Sequence, residues 1–140
     1  MNTSHARREA LLRAIASSWS ADTSNDPQRW NPDNPALGQC AVTALVVQDY
    51  LGGGLLRGMV GDVSHYWNQL PGGSELDLTR QQFEHPSVQG VAPRARDYVL
   101  SNVDTRRRYA ALSTLVSKRL RLPAPPTPQA LRVADGTLTD

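Results

Sequence analysis

Residues 39–54 read QCAVTALVVQDYLGGG and predict one helix that ends at a run of three glycines. Between Gln39 and Leu51 the apolar side chains cover most of the helical circumference, a pattern typical of a helix that is buried on more than one side. Gly52 supplies the left-handed conformation that commonly follows a helix C-terminus, and the next two glycines allow a sharp turn into a strand. We therefore expect this helix to lie at the centre of the fold.

The segment that follows the glycines predicts three antiparallel strands. Residues 55–60 and 63–70 flank Gly61-Asp62, a dipeptide that suits a two-residue hairpin turn. A Pro-Gly-Gly break then precedes residues 75–79, whose alternation of polar and apolar side chains indicates a strand with one buried face. The sequence thus predicts a small antiparallel β-meander on which the central helix packs.

Further helices are predicted before and after this unit. Apolar residues at three- and four-residue spacing mark an N-terminal helix over residues 5–19. Residues 20–37 are rich in Ser, Asp, Asn and Pro, and we interpret them as a loop anchored by Trp30. A short helix around residues 98–100 and a longer one that begins near Asp104 form the C-terminal part. The fold class is therefore α+β.

The composition is that of one ordinary globular domain: 140 residues, of which 39% are hydrophobic and 20% are charged. We expect a single compact domain over residues 1–122 and a Pro-rich, poorly ordered tail over residues 123–140. No apolar run is long enough to span a membrane, and the first residues lead into charged positions, so a cytoplasmic location is expected. A single cysteine excludes an internal disulfide framework.

Cys40 is the first candidate for chemistry. It follows a loop directly and opens the central helix, where unpaired backbone N–H groups and the helix dipole favour a negative charge such as a thiolate. The backbone N–H of Cys40 and the Gln39 amide could hold an oxyanion, and Gly38 could let the backbone approach a bound carbonyl. Asn34 is a further candidate donor, with a plain turn role before Pro35 as the alternative. Cys40 itself is alternatively a small buried hydrophobe.

His65 and Asp77 are the candidates that would act with the cysteine. The period of two along a strand places His65 and Trp67 on one face, where the indole would shield the imidazole from water. A three-residue Pro-Gly-Gly loop pairs Trp67 with Asp77, which makes Asp77 the diagonal neighbour of His65 on that face. The hairpin register also pairs His65 with Gly58, whose missing side chain leaves room above the imidazole. A packed histidine and a surface aspartate are the alternatives.

Two other kinds of site are weaker. A metal site from Cys40, His65 and Asp77 lacks a recurrent zinc-ligand spacing, and we expect neither a metal nor another cofactor. Residues 94–121 carry eight basic side chains against two aspartates, which would suit a nucleic-acid partner. Arg106-Arg107-Arg108 is alternatively a solvated helix face, because the chain lacks interleaved exposed aromatic residues.

Three stretches resemble the YunG-like family of small bacterial proteins: QCAVTALVVQDY at residues 39–50, HYWNQLP at residues 65–71 and DLTRQQF at residues 77–83. A helix-opening cysteine followed by His and Asp on neighbouring strands also looks, more distantly, like the papain- and transglutaminase-like catalytic core. In that superfamily the cysteine is the nucleophile, the histidine the base and the aspartate its orienting group. The resemblance assigns these roles to Cys40, His65 and Asp77.

The leading hypothesis is therefore a cysteine-dependent acyl-transfer enzyme that acts on an amide or other acyl carbonyl. Amidase, peptidase, deamidase and transglutaminase-like reactions all fit this pattern. The substrate would be a small molecule or peptide, and no membrane partner is expected. A non-catalytic binding or accessory protein that keeps the fold is the second hypothesis, and nucleic-acid binding is the third.

Overall fold

A computed structural model describes residues 3–84 and 86–121. The helices and strands, in chain order, are α1 (Thr3–Ser18), α2 (Cys40–Leu51), β1 (Gly54–Val60), β2 (Val63–Gln69), β3 (Glu75–Leu76), β4 (Val88–Arg94), α3 (Arg96–Leu100) and α4 (Val103–Arg121). The fold is α+β with a small antiparallel sheet, as predicted. The tail expected over residues 123–140, together with residue 122, lies outside the described residues.

Helix α2 is buried on two sides, as its apolar circumference predicts. One side packs against α1 and α4, where Ile15, Val46 and Leu112 are all fully buried. The other side packs against the sheet and α3, through the buried side chains of Leu45 and Leu55. Burial of each such side chain stabilises the fold by about 1.5–3 kcal/mol. The helix that carries Cys40 is therefore fixed from both sides.

A buried hydrogen bond ties the end of the N-terminal segment to α2. Trp19 Nε1 donates to Thr43 Oγ1 over 2.9 Å, and both side chains are buried. We expect Thr43→Val to lower the free energy of unfolding by about 1–2 kcal/mol, because the indole N–H is then buried without an acceptor. Chemical denaturation followed by circular dichroism measures this. Thr114→Val on the exposed face of α4 is the matched control, and an equal loss in both variants would contradict the prediction.

The sheet has four strands in the order β3-β2-β1-β4, so the prediction of three strands was wrong. The missed strand, β4, pairs antiparallel with β1 at the sheet edge and contains Gly90 and Pro93. Both residues argue against a strand in a local pattern, yet an edge position tolerates proline because one side of the strand needs no ladder hydrogen bond. Pairing with β1, a contact distant in sequence, decides this element.

The predicted registers are confirmed where the strands pair, but β3 is shorter than expected and the predicted pairing of Trp67 with Asp77 is not formed. Gly58 pairs with His65 across the first hairpin, and Gln69 pairs with Glu75 across the second. Strand β3 ends at Leu76, whereas the alternation predicted a strand as far as residue 79. The chain instead turns through a 3₁₀ helix at Arg80–Gln82. This early end leaves part of the β2 edge open to other elements.

The loop between α1 and α2 is held by local contacts. Trp30 Nε1 donates to the Pro35 carbonyl over 2.9 Å, which agrees with its predicted role as an anchor. Within residues 3–84 and 86–121, no helix has both the length and the apolar character needed to cross a membrane.

Candidate active site

The first turn of α2 lies against the open part of the β2 edge. β3 pairs with β2 only at Asn68 and Gln69, so Ser64 and His65 lie beyond the paired segment. Cys40 occupies this position, with its Sγ 3.8 Å from the Ser64 carbonyl oxygen. Cys40 is buried, with 7% of its surface exposed. The early end of β3 thus brings the cysteine beside the strand that carries the histidine.

The His65 imidazole is enclosed by aromatic rings. Its ring is stacked on Trp67 with 5.4 Å between centroids and 22° between planes, so the predicted lateral contact is confirmed. Phe83 meets it edge to face at 5.0 Å, and the whole residue is 1% exposed. The expected room at Gly58 is absent, because a Cβ there would meet Val88 Cγ1 and the Trp67 ring. Packing rather than open space surrounds the imidazole.

Asp77 binds the imidazole from the segment that follows β3. His65 Nε2 and Asp77 Oδ2 are 2.7 Å apart, so the predicted proximity of these two side chains is present. The second ring nitrogen, Nδ1, is buried without an ordinary hydrogen-bond partner, and so are Asp77 Oδ1 and Thr79 Oγ1.

The charge of His65 reflects these neighbours. Burial alone would lower the pKa of His65, but the hydrogen bond to Asp77 and the hydrogen bonding and charge of Cys40 together raise it to about 9. The imidazole is therefore protonated at neutral pH. Asp77 and Cys40, the two groups that raise its pKa, are both anions when ionised. This arrangement can stabilise a thiolate and later donate a proton.

Two of the residues predicted to help hold an oxyanion, Gln39 and Gly38, instead contact the loop that precedes α2. The Gln39 side chain is fully buried, donates from Nε2 to the Ser20 carbonyl and accepts from Thr23 Oγ1. Gly38 has a φ of 74°, and a Cβ there would collide with Ser24 Oγ, so its close backbone approach is to the loop rather than to open space. The local sequence around residues 38 and 39 predicts neither of these contacts with the loop.

Asn34 also has a turn role. Its backbone N–H donates to the Asn31 carbonyl over 3.0 Å, and the two residues form an isolated β-bridge. Its backbone carbonyl accepts from Leu37. These contacts agree with the alternative interpretation, in which Asn34 has a plain turn role before Pro35.

The segment after Asp77 supplies contacts that sequence reasoning missed. Gln82 Oε1 accepts from the Gly38 backbone N–H, and its Nε2 donates to the Thr79 carbonyl, so this side chain joins the segment to the start of α2. Phe83 covers the imidazole. An apolar Phe83 inside the otherwise polar stretch of residues 80–85 is the signal that could have found this contact.

The basic segment is partly used in internal contacts. Arg108 is 3% exposed and binds Asp104 Oδ2 and the Thr23 carbonyl, so the expectation that it belongs to a solvated face was wrong. The hydrogen bond from Arg108 holds the pKa of the Asp104 carboxyl below its usual range. Arg96 forms an ion pair with Asp49 that joins α3 to α2. These cations position α3 and α4.

Comparison with known proteins identifies the family. The family model described as YunG protein matches residues 7–121, which is most of the chain. The chain belongs to the YunG family. The uncharacterized protein YunG of Bacillus subtilis (strain 168) is 35% identical over 89 residues, which cover 64% of this chain and 74% of that relative. No solved structure matches this YunG-family chain. Among the described residues of this family member, no group of three or more His, Cys, Asp or Glu side chains has an arrangement suited to a metal ion.

Proposed function

We propose that this YunG-family protein is a cysteine-dependent acyl-transfer enzyme, with Cys40 as nucleophile, His65 as proton donor and acceptor, and Asp77 as the group that orients the imidazole. The observation that carries the proposal is a single buried imidazole with Asp77 on Nε2 at 2.7 Å, no hydrogen-bond partner for Nδ1 among the described residues, and the Cys40 thiol near enough to help raise its pKa. Nucleophile, base and orienting group in this order are what acyl transfer requires.

The reaction proceeds in two halves. The Cys40 sulfur bonds to the carbonyl carbon while the thiol proton resides on His65, and this proton then passes to the leaving group as its bond to carbon breaks. Water or an amine next attacks the thioester and gives up its proton to His65, and the C–S bond breaks. Water yields hydrolysis, as in an amidase, peptidase or deamidase, and an amine yields transfer, as in a transglutaminase.

The oxyanion that forms in each half needs hydrogen-bond donors. Because the Gln39 side chain is engaged with Ser20 and Thr23, we assign this role to the backbone N–H of Cys40. N–H groups in the first turn of a helix have no acceptor within the helix, and the dipole there favours negative charge. Loss of one such donor in comparable enzymes costs about 3–4 kcal/mol of transition-state stabilisation.

The alkylation rate of Cys40 tests the nucleophile directly, since the chain has one cysteine and labelling is unambiguous. We expect iodoacetamide to alkylate the native protein at pH 6–7 about tenfold faster than it alkylates N-acetylcysteine, because an activated thiol is ionised where an ordinary one is not. Mass spectrometry measures the rate, and Cys40→Ser is the unlabelled control. A native-state rate below that of N-acetylcysteine, rising only above pH 8, would rule out the proposal.

The second candidate is a non-catalytic binding protein, and the 7% exposure of Cys40 is the observation that favours it. In that case Cys40 is a packing residue and His65 is held by Asp77 for stability alone. Slow alkylation in the native state, which becomes fast only after unfolding, is the result that this candidate predicts.

A further inference from the structure

A cleft of about 450 Å³ begins one residue from the proposed nucleophile. Ala41 forms part of its wall, together with Tyr66 from β2, Tyr98 from α3 and Asn102 from the turn that precedes α4. Tyr66 follows Ser64 by two residues on the same face of β2, and the Ser64 carbonyl oxygen is 3.8 Å from Cys40 Sγ.

Arg57 lies opposite Tyr66, which forms part of the cleft wall, and is linked to Cys40 through one residue. Its Nε donates to Ser64 Oγ over 2.7 Å, and the carbonyl of the same Ser64 is the acceptor nearest to Cys40 Sγ. In the part of the chain that the structure describes, neither Arg57 nor Arg94 forms an ion pair with a carboxylate. Two partly buried guanidinium groups beside the cleft are therefore not neutralised from within the described chain.

Arg94, the last residue of β4, lies beside the Tyr98 wall of the cleft. Its guanidinium lies over the Tyr98 ring, 5.9 Å from the centroid, and its charge acts on the Tyr66 hydroxyl together with that of Arg57. Burial raises the pKa of Tyr66 above its usual range, so this hydroxyl is a neutral hydrogen-bond donor at physiological pH. Two cations and a phenol that converge on one space are suited to a carboxylate.

We propose that this cleft binds a carboxylate of the acyl substrate, with Arg57, Arg94 and Tyr66 as its recognition groups. The inference rests on the proposed function, and it narrows the substrate class to acyl compounds that carry a carboxylate a few bonds from the reacting carbonyl. The three residues are specificity determinants rather than catalytic residues. Their role is to hold the carboxylate while Cys40 attacks.

Two alkylating reagents of nearly equal size test the inference. Iodoacetate carries a carboxylate and iodoacetamide a neutral amide, and in both the Cys40 sulfur displaces iodide. At low salt we expect the ratio of the iodoacetate rate to the iodoacetamide rate to exceed the same ratio for N-acetylcysteine by about tenfold, which is the size of one screened charge interaction. Salt near 1 M should reduce this excess, because charges at a solvent-accessible cleft are then screened.

Substitutions identify the groups responsible. Arg57→Gln and Arg94→Gln should each lower the ratio of the iodoacetate rate to the iodoacetamide rate severalfold, whereas Arg57→Lys should keep most of that ratio. Arg119→Gln, at an exposed position near the end of α4, removes the same charge elsewhere and is the matched control. Calorimetric titration with glutarate provides a second readout that does not depend on thiol reactivity, and its heat of binding should be lost in Arg57→Gln.

The outcomes separate the two proposals. Fast iodoacetamide labelling with a ratio equal to that of N-acetylcysteine, or a raised ratio that both arginine variants retain, would overturn the carboxylate site and leave the nucleophile intact. Slow labelling by both reagents with arginine-dependent glutarate binding would support the carboxylate site and refute the acyl-transfer function. Slow labelling without glutarate binding would refute both.

Discussion

His65→Gln should slow the alkylation of Cys40 by iodoacetamide about 30-fold near pH 7. The buried imidazolium lies beside the thiol and favours its ionised form, whereas an ordinary thiol is only a few per cent ionised at this pH. Glutamine retains much of the volume between Trp67 and Phe83, so the comparison changes charge more than packing. Rates measured from pH 5 to pH 10 by mass spectrometry should show the loss below pH 8 and convergence above it.

Asp77→Asn should slow alkylation less and in the same direction, because the imidazole then loses its charged partner and keeps its position. Asn68→Ala is the control: this side chain also joins β2 to its surroundings, through a 2.9 Å hydrogen bond to the Ala44 carbonyl, but lies on the other face of the strand. The double variant His65→Gln, Asp77→Asn should react no more slowly than His65→Gln alone, since the aspartate acts through the histidine. Additive losses, or unchanged rates with lowered stability, would show a structural role instead.

The second large effect is a loss of stability between pH 6.5 and pH 9. The pKa of His65 is about 9 in the folded protein against 6.5 for the unperturbed side chain, so folding favours the protonated form. This contribution is fully present below pH 6.5 and is lost as the pH rises through 9. Each pH unit between the two pKa values corresponds to about 1.4 kcal/mol, so the contribution of His65 alone amounts to about 3 kcal/mol. The thiolate proposed for Cys40 offsets part of this loss in the wild-type protein, because folding then releases the thiol proton. Urea denaturation at a series of pH values measures it.

Two variants assign this loss to its source. In His65→Gln the decline between pH 6.5 and pH 9 should disappear, because no group with a raised pKa remains at that position. In Cys40→Ser the decline should persist, since the hydrogen bond from His65 to Asp77 is retained and no thiolate offsets it. Parallel curves for the wild-type protein and His65→Gln would show that the imidazole does not titrate with the raised pKa.

Local sequence pattern is sufficient for the parts of the fold that depend on neighbouring residues. The apolar circumference of residues 40–51 predicts a helix buried on two sides, and the loop lengths fix which residues of β1, β2 and β3 stand opposite one another. Because strand register follows from loop length, the pairing of Gln69 with Glu75 could be derived before any coordinates, and it places Asp77 directly after β3, near His65. Helix periodicity and hairpin register are short-range properties.

The remaining features depend on contacts between distant segments. Strand β4 exists because β1 offers a pairing edge, although its own Gly90 and Pro93 argue against a strand. The Gln39 amide is drawn away from the candidate oxyanion by Ser20 and Thr23, which lie 19 and 16 residues earlier in the chain. No local pattern encodes either outcome.

The sequence by itself determined the helix that carries Cys40, the strand that carries His65 and the register of the β2–β3 pairs. The contact of Asp77 with the imidazole is made by the chain beyond β3. Only the tertiary structure decided that β3 ends at Leu76 and that the start of α2 lies against the freed edge of β2. The physical reason is that a strand edge accepts any partner that satisfies its backbone groups and packs well, so the choice between a longer β3 and the first turn of α2 depends on the whole core.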